Sequence, residues 1–283
     1  MATFGLVVHH ERPEAFALAA EIVQRMEANG HKVCLPIADA QRASLSSNGV
    51  ADSEFASVLD VAVSLGGDGS MLRAVHLVSR SNVPVIGVNL GQLGYLTEVE
   101  PAGVWDALER FLAADFEIEE RMLLSVSGTG DLELDSVVAL NEAVLEKTTQ
   151  GPTVRLDVSI DGQVFTPYAA DGLIVATPTG STAYNLSARG PIVAPTHRAI
   201  IVTPVSPHML FDRSLVLEPE TTLQIVVSGH YPARLAVDGR TIAELAPGAG
   251  IACSASTHAA RLVTFGPRDF HRILKAKFGL NDR

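Results

Sequence analysis

Leu59-Asp60-Val61-Ala62-Val63-Ser64-Leu65-Gly66-Gly67-Asp68-Gly69-Ser70 joins a short apolar run to a glycine-rich turn. Beyond the turn, Met71, Leu72, Val75 and Val78 recur at helical spacing. An apolar run of strand length, a turn and an amphipathic helix make one arm of a βαβ unit. Its neighbours repeat the grammar. Phe4 to Val8 reads as a strand, a helix opens at Pro13 and stops at Asn29-Gly30, and a second strand runs from His31 to Leu35. Pro84 to Val88 is a further strand and Val104 to Ala114 a further helix. Residues 1–117 are therefore expected to form an α/β domain with a largely parallel sheet.

After Phe116 the pattern changes to short strands separated by Gly, Pro, Asp and Asn. Strands are predicted at 121–126, 133–146, 153–160, 171–177, 198–204, 214–218, 222–228, 233–237 and 261–265. Residues 118–265 then form an all-β, sandwich-like domain. The tail from Pro267 reads as a helix carrying Arg268, Arg272, Lys275 and Lys277, able to pack back on the first domain.

Composition sets limits on function. The 283 residues are 47% hydrophobic and 19% charged, as in a compact globular chain of one or two domains. With 21 basic against 32 acidic side chains the net charge is −11, which argues against nucleic-acid or anionic-membrane partners. Most of the acidity lies in residues 1–117, whereas the tail from Gly266 is net basic. Cys34 and Cys253 stand far apart with no CxxC spacing, so a disulfide framework and a zinc ribbon are both excluded. The N-terminal residues lack the basic-then-apolar pattern of a secretory signal, and no apolar run nears the ~18 residues of a membrane span. The expected location is the cytoplasm.

Four stretches could carry chemistry. At Gly66-Gly67-Asp68-Gly69 the glycines let backbone approach a ligand, and the following helix start offers N–H groups to an anion. Asp68 would repel a phosphate unless it held a metal or took a proton from an attacking hydroxyl; a plain turn with Asp68 as helix cap is the alternative. Gly87 to Leu96 places three glycines, Gly87, Gly91 and Gly94, at a strand end, where ligand loops or an ordinary loop would sit. Asn141-Glu142 puts an amide and a carboxylate in an apolar run, suited to a base and ribose hydroxyls or to an exposed turn. Tyr168 to Ser187 passes from Asp171-Gly172 through an apolar strand into a hydroxyl-rich turn that could hold a nucleoside. No Walker lysine, GxGxxG, HExxH or GxSxG is present to support other readings.

Taken in order, Gly66-Gly67-Asp68-Gly69, Asn141-Glu142, Thr177-Pro178-Thr179-Gly180-Ser181-Thr182-Ala183-Tyr184, Thr203 to His208 and Asp238-Gly239 resemble the NAD kinase family. These kinases convert NAD to NADP with ATP or polyphosphate. The resemblance implies an α/β domain completed by the returning final helix, residues 266–283, a β domain, and substrate between the two. It implies that Asp68 is the general base on the adenosine ribose 2′-hydroxyl and that Gly66, Gly67, Gly69 and Arg73 serve nucleotide phosphates. Asn141 and Glu142 would meet the adenosine, Asp171 the nicotinamide end, and Thr179 with Thr182, Ala183, Tyr184, Asn185, Leu186 and Ser187 the dinucleotide pocket. Asp238 and Arg240 would approach from a neighbouring subunit of a homodimer or homotetramer. Mg²⁺ or another divalent metal is implied, held mostly by the phosphates. Ser70, Tyr95 and Ala170 depart from the commoner Thr, Phe and Gly without removing a proposed catalytic group. A lipid or sugar kinase built on the same GGDG turn, and a non-catalytic NAD(P)-sensing module, are the rivals.

Overall fold

The structure is a computed structural model and describes residues 1–92, 94–130, 132–149 and 152–280. Leu93, within the second glycine stretch, lies outside the described residues. The chain forms two compact units, Met1–Glu120 with Ala260–Arg283, and Arg121–Ala259.

The first unit is built on a parallel sheet. Its strands run Val85–Asn89, Val61–Gly66, Thr3–Val8, Lys32–Pro36 and Gly49–Val50 across the sheet, every neighbouring pair parallel. Beyond Val85, the end of the strand Gly250–Thr264 adds one more parallel partner through Leu262. The strand Val61–Gly66 is buried at every position, as expected of a central strand covered on both faces. Phe4, Leu6, Val8, Val63, Leu65 and Ile86 pack with Ala19, Ile22 and Met26 of the helix Pro13–Ala28 and with Leu108 of the helix Val104–Leu112. Pro13 stands in the first turn of its helix, where a missing N–H costs nothing. The final helix, Phe270–Phe278, is capped by Asp269, which accepts from the Arg272 N–H, and stops at the left-handed Gly279.

The second unit contains a six-stranded antiparallel sheet. Its order is Leu215–Leu217, Ile200–Val205, Gly172–Ala176, Glu142–Lys147, Ala233–Val237 and Arg240–Leu245. Gln163–Ala170, Val154–Ile160, Leu223–Val227 and the first half of Gly250–Thr264 pair antiparallel in another layer. Leu145, Val175, Val202 and Leu235 of the first layer meet Leu156, Val158, Ile225 and Ile251 of the second in one core, which is the packing of a β-sandwich.

Several details differ from the sequence reading, among them the strand Gly49–Val50, which the sequence did not mark. The single strand expected at 133–146 is two, Val137–Ala139 and Glu142–Lys147. Gln163–Ala170 and Arg240–Leu245 are strands that periodicity did not mark. The last strand begins at Gly250 rather than 261. No described helix is long and apolar enough to cross a membrane.

Candidate active site

In the first unit the chemistry gathers where the strand Val61–Gly66 hands over to the helix Asp68–Val78. Gly67 is the N-cap and Asp68 the first helical residue. A side chain at Gly66 would collide with Ser70, so the turn closes only with glycine there. Gly67 and Gly69, by contrast, face open space, leaving the helix start and its N–H groups approachable by an anion.

The Asp68 carboxylate does not cap its own helix. It turns to the loop after the strand Val85–Asn89, accepting from the Tyr95 N–H at 2.9 Å and from the Leu96 N–H at 3.0 Å. Two backbone donors fix the plane of the carboxylate. A Cβ on Gly94 would overlap Asp68 Oδ1, which gives the second glycine stretch its reason: the loop must lie directly on the acid. Burial and then the Asp68 charge push the Tyr95 phenol upward.

Arg73, one helical turn on, pairs with Asp39, and its Nη1 lies 3.0 Å from His10 Nδ1. Asp39 is 2% exposed and also accepts from the Val8 N–H at 2.8 Å. The Arg73 guanidinium is thus tied at the end of the first strand. Burial and the neighbouring Arg73 and Arg42 charges hold His10 below the usual imidazole range.

In the second unit the Asn141-Glu142 turn is organised by Asp238. Its carboxylate accepts from the Leu140, Asn141 and Glu142 N–H groups at 2.8, 2.8 and 3.1 Å, and its own N–H donates to the Glu142 carbonyl at 3.0 Å. The Asp238 oxygens are turned onto its own chain and so shape the turn. Arg240 is exposed at the start of its strand.

The hydroxyl-rich segment lies on that turn. The Thr177 N–H donates to the Asn141 carbonyl at 2.9 Å, and the Thr177 hydroxyl donates to the Leu140 carbonyl at 2.5 Å. A Cβ on Gly180 would overlap the Asn141 backbone. Glu142 is 6% exposed, and its Oε2 has no partner among the described residues. Burial, and next the Asp238 charge, raise its carboxyl to about 7, against a Tyr184 backbone hydrogen bond that lowers it. A buried acceptor without a partner is costly unless a ligand supplies one.

The other pocket residues divide. Tyr184 is 38% exposed and Ser187 is exposed, while Thr182, Ala183 and Leu186 are half-buried. Thr179 is buried, its hydroxyl accepting from Arg121 at 3.3 Å. Asn185 is fully buried, and its amide donates to the Ser181 and Pro191 carbonyls and accepts from the Thr203 hydroxyl at 2.7 Å. It locks the segment from behind. Asp171 is half-buried and paired with Lys147 at 2.7 Å.

Residues 4–116 match the ATP-NAD kinase N-terminal domain and residues 140–265 the ATP-NAD kinase C-terminal domain. The chain belongs to the NAD kinase family. It is similar to the NAD kinase of Heliobacterium modesticaldum, with 38% identity over 98% of each chain. It is also 39% identical to that of Symbiobacterium thermophilum, over 98% of this chain and 99% of the relative. Among solved structures, yeast NADH kinase complexed with NADH matches with a TM-score of 0.91, covering 100% of this chain and 89% of that one at 24% identity. An NAD kinase from Archaeoglobus fulgidus in complex with ATP matches with a TM-score of 0.76 at 25% identity over the full length of both. The domains of the NAD kinase family thus coincide with the stretches that carry Asp68 on one side and Glu142 with Thr179 to Ser187 on the other.

Sequence reasoning missed the grip of Tyr95 and Leu96 on Asp68, the buried Asp39 under Arg73, and Arg268 behind the Tyr95 loop. The third glycine of the second stretch, Gly94, was the one available signal.

Proposed function

We propose that this chain transfers a phosphoryl group from ATP to the adenosine ribose 2′-hydroxyl of NAD, giving NADP and ADP. Family membership supports a kinase acting on NAD. The observation that carries the mechanism is the Asp68 carboxylate, held by two backbone N–H groups beside an open glycine turn.

In this reading Asp68 accepts the proton of the 2′-hydroxyl as its oxygen attacks the γ-phosphorus; the bond from that phosphorus to the β-bridging oxygen breaks, and ADP leaves. The glycine turn and the helix start carry phosphate charge through N–H groups. Arg73 reaches a phosphate only by sharing its charge with Asp39. Glu142 accepts from a nucleoside hydroxyl through its free Oε2, and the Asn141 amide beside it meets the adenosine. Tyr184 stacks at the dinucleotide. Asp171, Thr182, Ala183, Leu186 and Ser187 line the same ligand.

The described residues contain no group of three or more His, Cys, Asp or Glu suited to hold a metal. In this reading the divalent ion belongs to the substrate, Mg-ATP, and is carried mostly on the phosphates. Polyphosphate as an alternative donor, a homodimer or homotetramer, with Asp238 and Arg240 near a subunit boundary, and a cytoplasmic location rest on family membership alone.

The test is incubation with NAD and either ATP or polyphosphate, with Mg²⁺ or with chelator, reading NADP through an NADP-specific dehydrogenase. NADP formed with ATP and Mg²⁺ and abolished by chelator supports the reading. No NADP with either donor contradicts it.

A further inference from the structure

The C-terminal segment brings a cation to the loop that holds Asp68. Arg268 Nη2 donates to the Tyr95 carbonyl at 2.8 Å, from a side chain only 8% exposed. Its other nitrogens face Glu98 Oε2 and Glu119 Oε1, each at 3.9 Å. Two carboxylates thus lie close enough to balance the guanidinium charge. Glu98 also accepts from the Phe265 N–H at 3.2 Å, and Lys277 Nζ stands 5.3 Å from the centre of the Tyr95 ring. The segment is tied to the loop at several points.

The Tyr95 carbonyl and the Leu96 N–H are the two ends of one peptide group. That N–H donates to Asp68 Oδ1. Guanidinium, peptide plane and carboxylate therefore form one line of hydrogen bonds. A cation on the carbonyl oxygen polarises the peptide and strengthens the donor at its far end. It also prevents the plane from rotating, which would carry the N–H away from the acid.

We propose that Arg268 is a positioning residue for phosphoryl transfer, holding Asp68 in its reactive orientation through the Tyr95–Leu96 peptide. The inference rests on the reading of Asp68 as the base. Arg268 touches no reacting atom; its effect passes through the acid and belongs to turnover rather than to NAD binding.

The experiment compares wild type, Asp68→Asn, Arg268→Ala and the double variant for kcat at saturating NAD and Mg-ATP, with NAD affinity measured by calorimetry. Arg268→Ala is expected to lower kcat by about tenfold or more, the loss typical of one hydrogen bond to a charged group, while NAD Kd changes by less than about twofold. In the Asp68→Asn background the same substitution is expected to cost no more than about twofold, because no base remains to be oriented. An equal loss in both backgrounds, or NAD binding weakened in step with kcat, would show a purely structural clamp and overturn the proposal. If Arg268→Ala does not fold, Arg268→Met keeps the length of the side chain and removes both donor and charge; wild-type kcat in a folded Met variant overturns the proposal equally. Near-normal turnover of Asp68→Asn would instead strike the base assignment itself.

Discussion

Gly94 lies so close to Asp68 that no other residue fits at position 94 without displacing the carboxylate or the loop. The contact is steric, since Gly94 is not among the residues with positive φ. Gly94→Ala should therefore move the acid away from the N–H groups of Tyr95 and Leu96. We expect kcat to fall by about tenfold or more, because a small misplacement of a reacting group costs that much or more. NAD affinity, measured by calorimetry, should change little. Wild-type turnover in this variant would mean that the loop does not orient Asp68.

Asp238 holds three backbone N–H groups of the Leu140–Glu142 turn. Asp238→Ala leaves these donors without their acceptor, which should cost about 1–3 kcal/mol of stability. The turn also carries Asn141 and Glu142, so KM for NAD should rise more than kcat falls. Denaturant unfolding together with steady-state kinetics checks both parts; an unchanged KM in a destabilised protein would separate the turn from NAD recognition.

The raised carboxyl of Glu142 gives a pH dependence of stability with a definite sign. Its folded-state value of about 7 stands above the ordinary 4.5. Between these values the folded chain binds more protons than the unfolded one, so this group's contribution to stability is full below about 4.5 and is lost as pH rises to about 7. Glu142→Gln removes that dependence. In ligand-free protein the Tm of the variant should gain on wild type across this interval and the difference should level off above it. A Tm difference independent of pH would contradict the assignment.

The sequence made the first unit easier to read than the second. Val61–Gly66 and Asp68–Val78 were legible because a buried run and a helical apolar face are local signals. The break at Asn141 was not, because the residue that stabilises it, Asp238, lies 97 positions away. Gln163–Ala170 escaped notice for a different reason. It is an edge strand with a bulge near Phe165 and with Pro167 inside it, and its first three residues are exposed, so it lacks the alternation of an inner strand. Within the site, residue types pointed to Asp68 and Glu142, of which one lies against two backbone N–H groups and the other has a buried oxygen without a partner among the described residues, whereas Asn185 carries the same composition signal and is held by three side-chain hydrogen bonds. Arg268 could not be read as anything more than a basic tail residue, because only folding sets it against the Tyr95 carbonyl.

The central claim is that Asp68 takes the proton from the ribose hydroxyl. Its most direct test is turnover of Asp68→Asn, which keeps the shape of the side chain and loses its basicity. We predict a fall in kcat of ~10²- to 10⁴-fold, the usual contribution of general-base catalysis, with NAD affinity within about threefold of wild type. Turnover within tenfold of wild type, in a variant that binds NAD normally, would contradict the account.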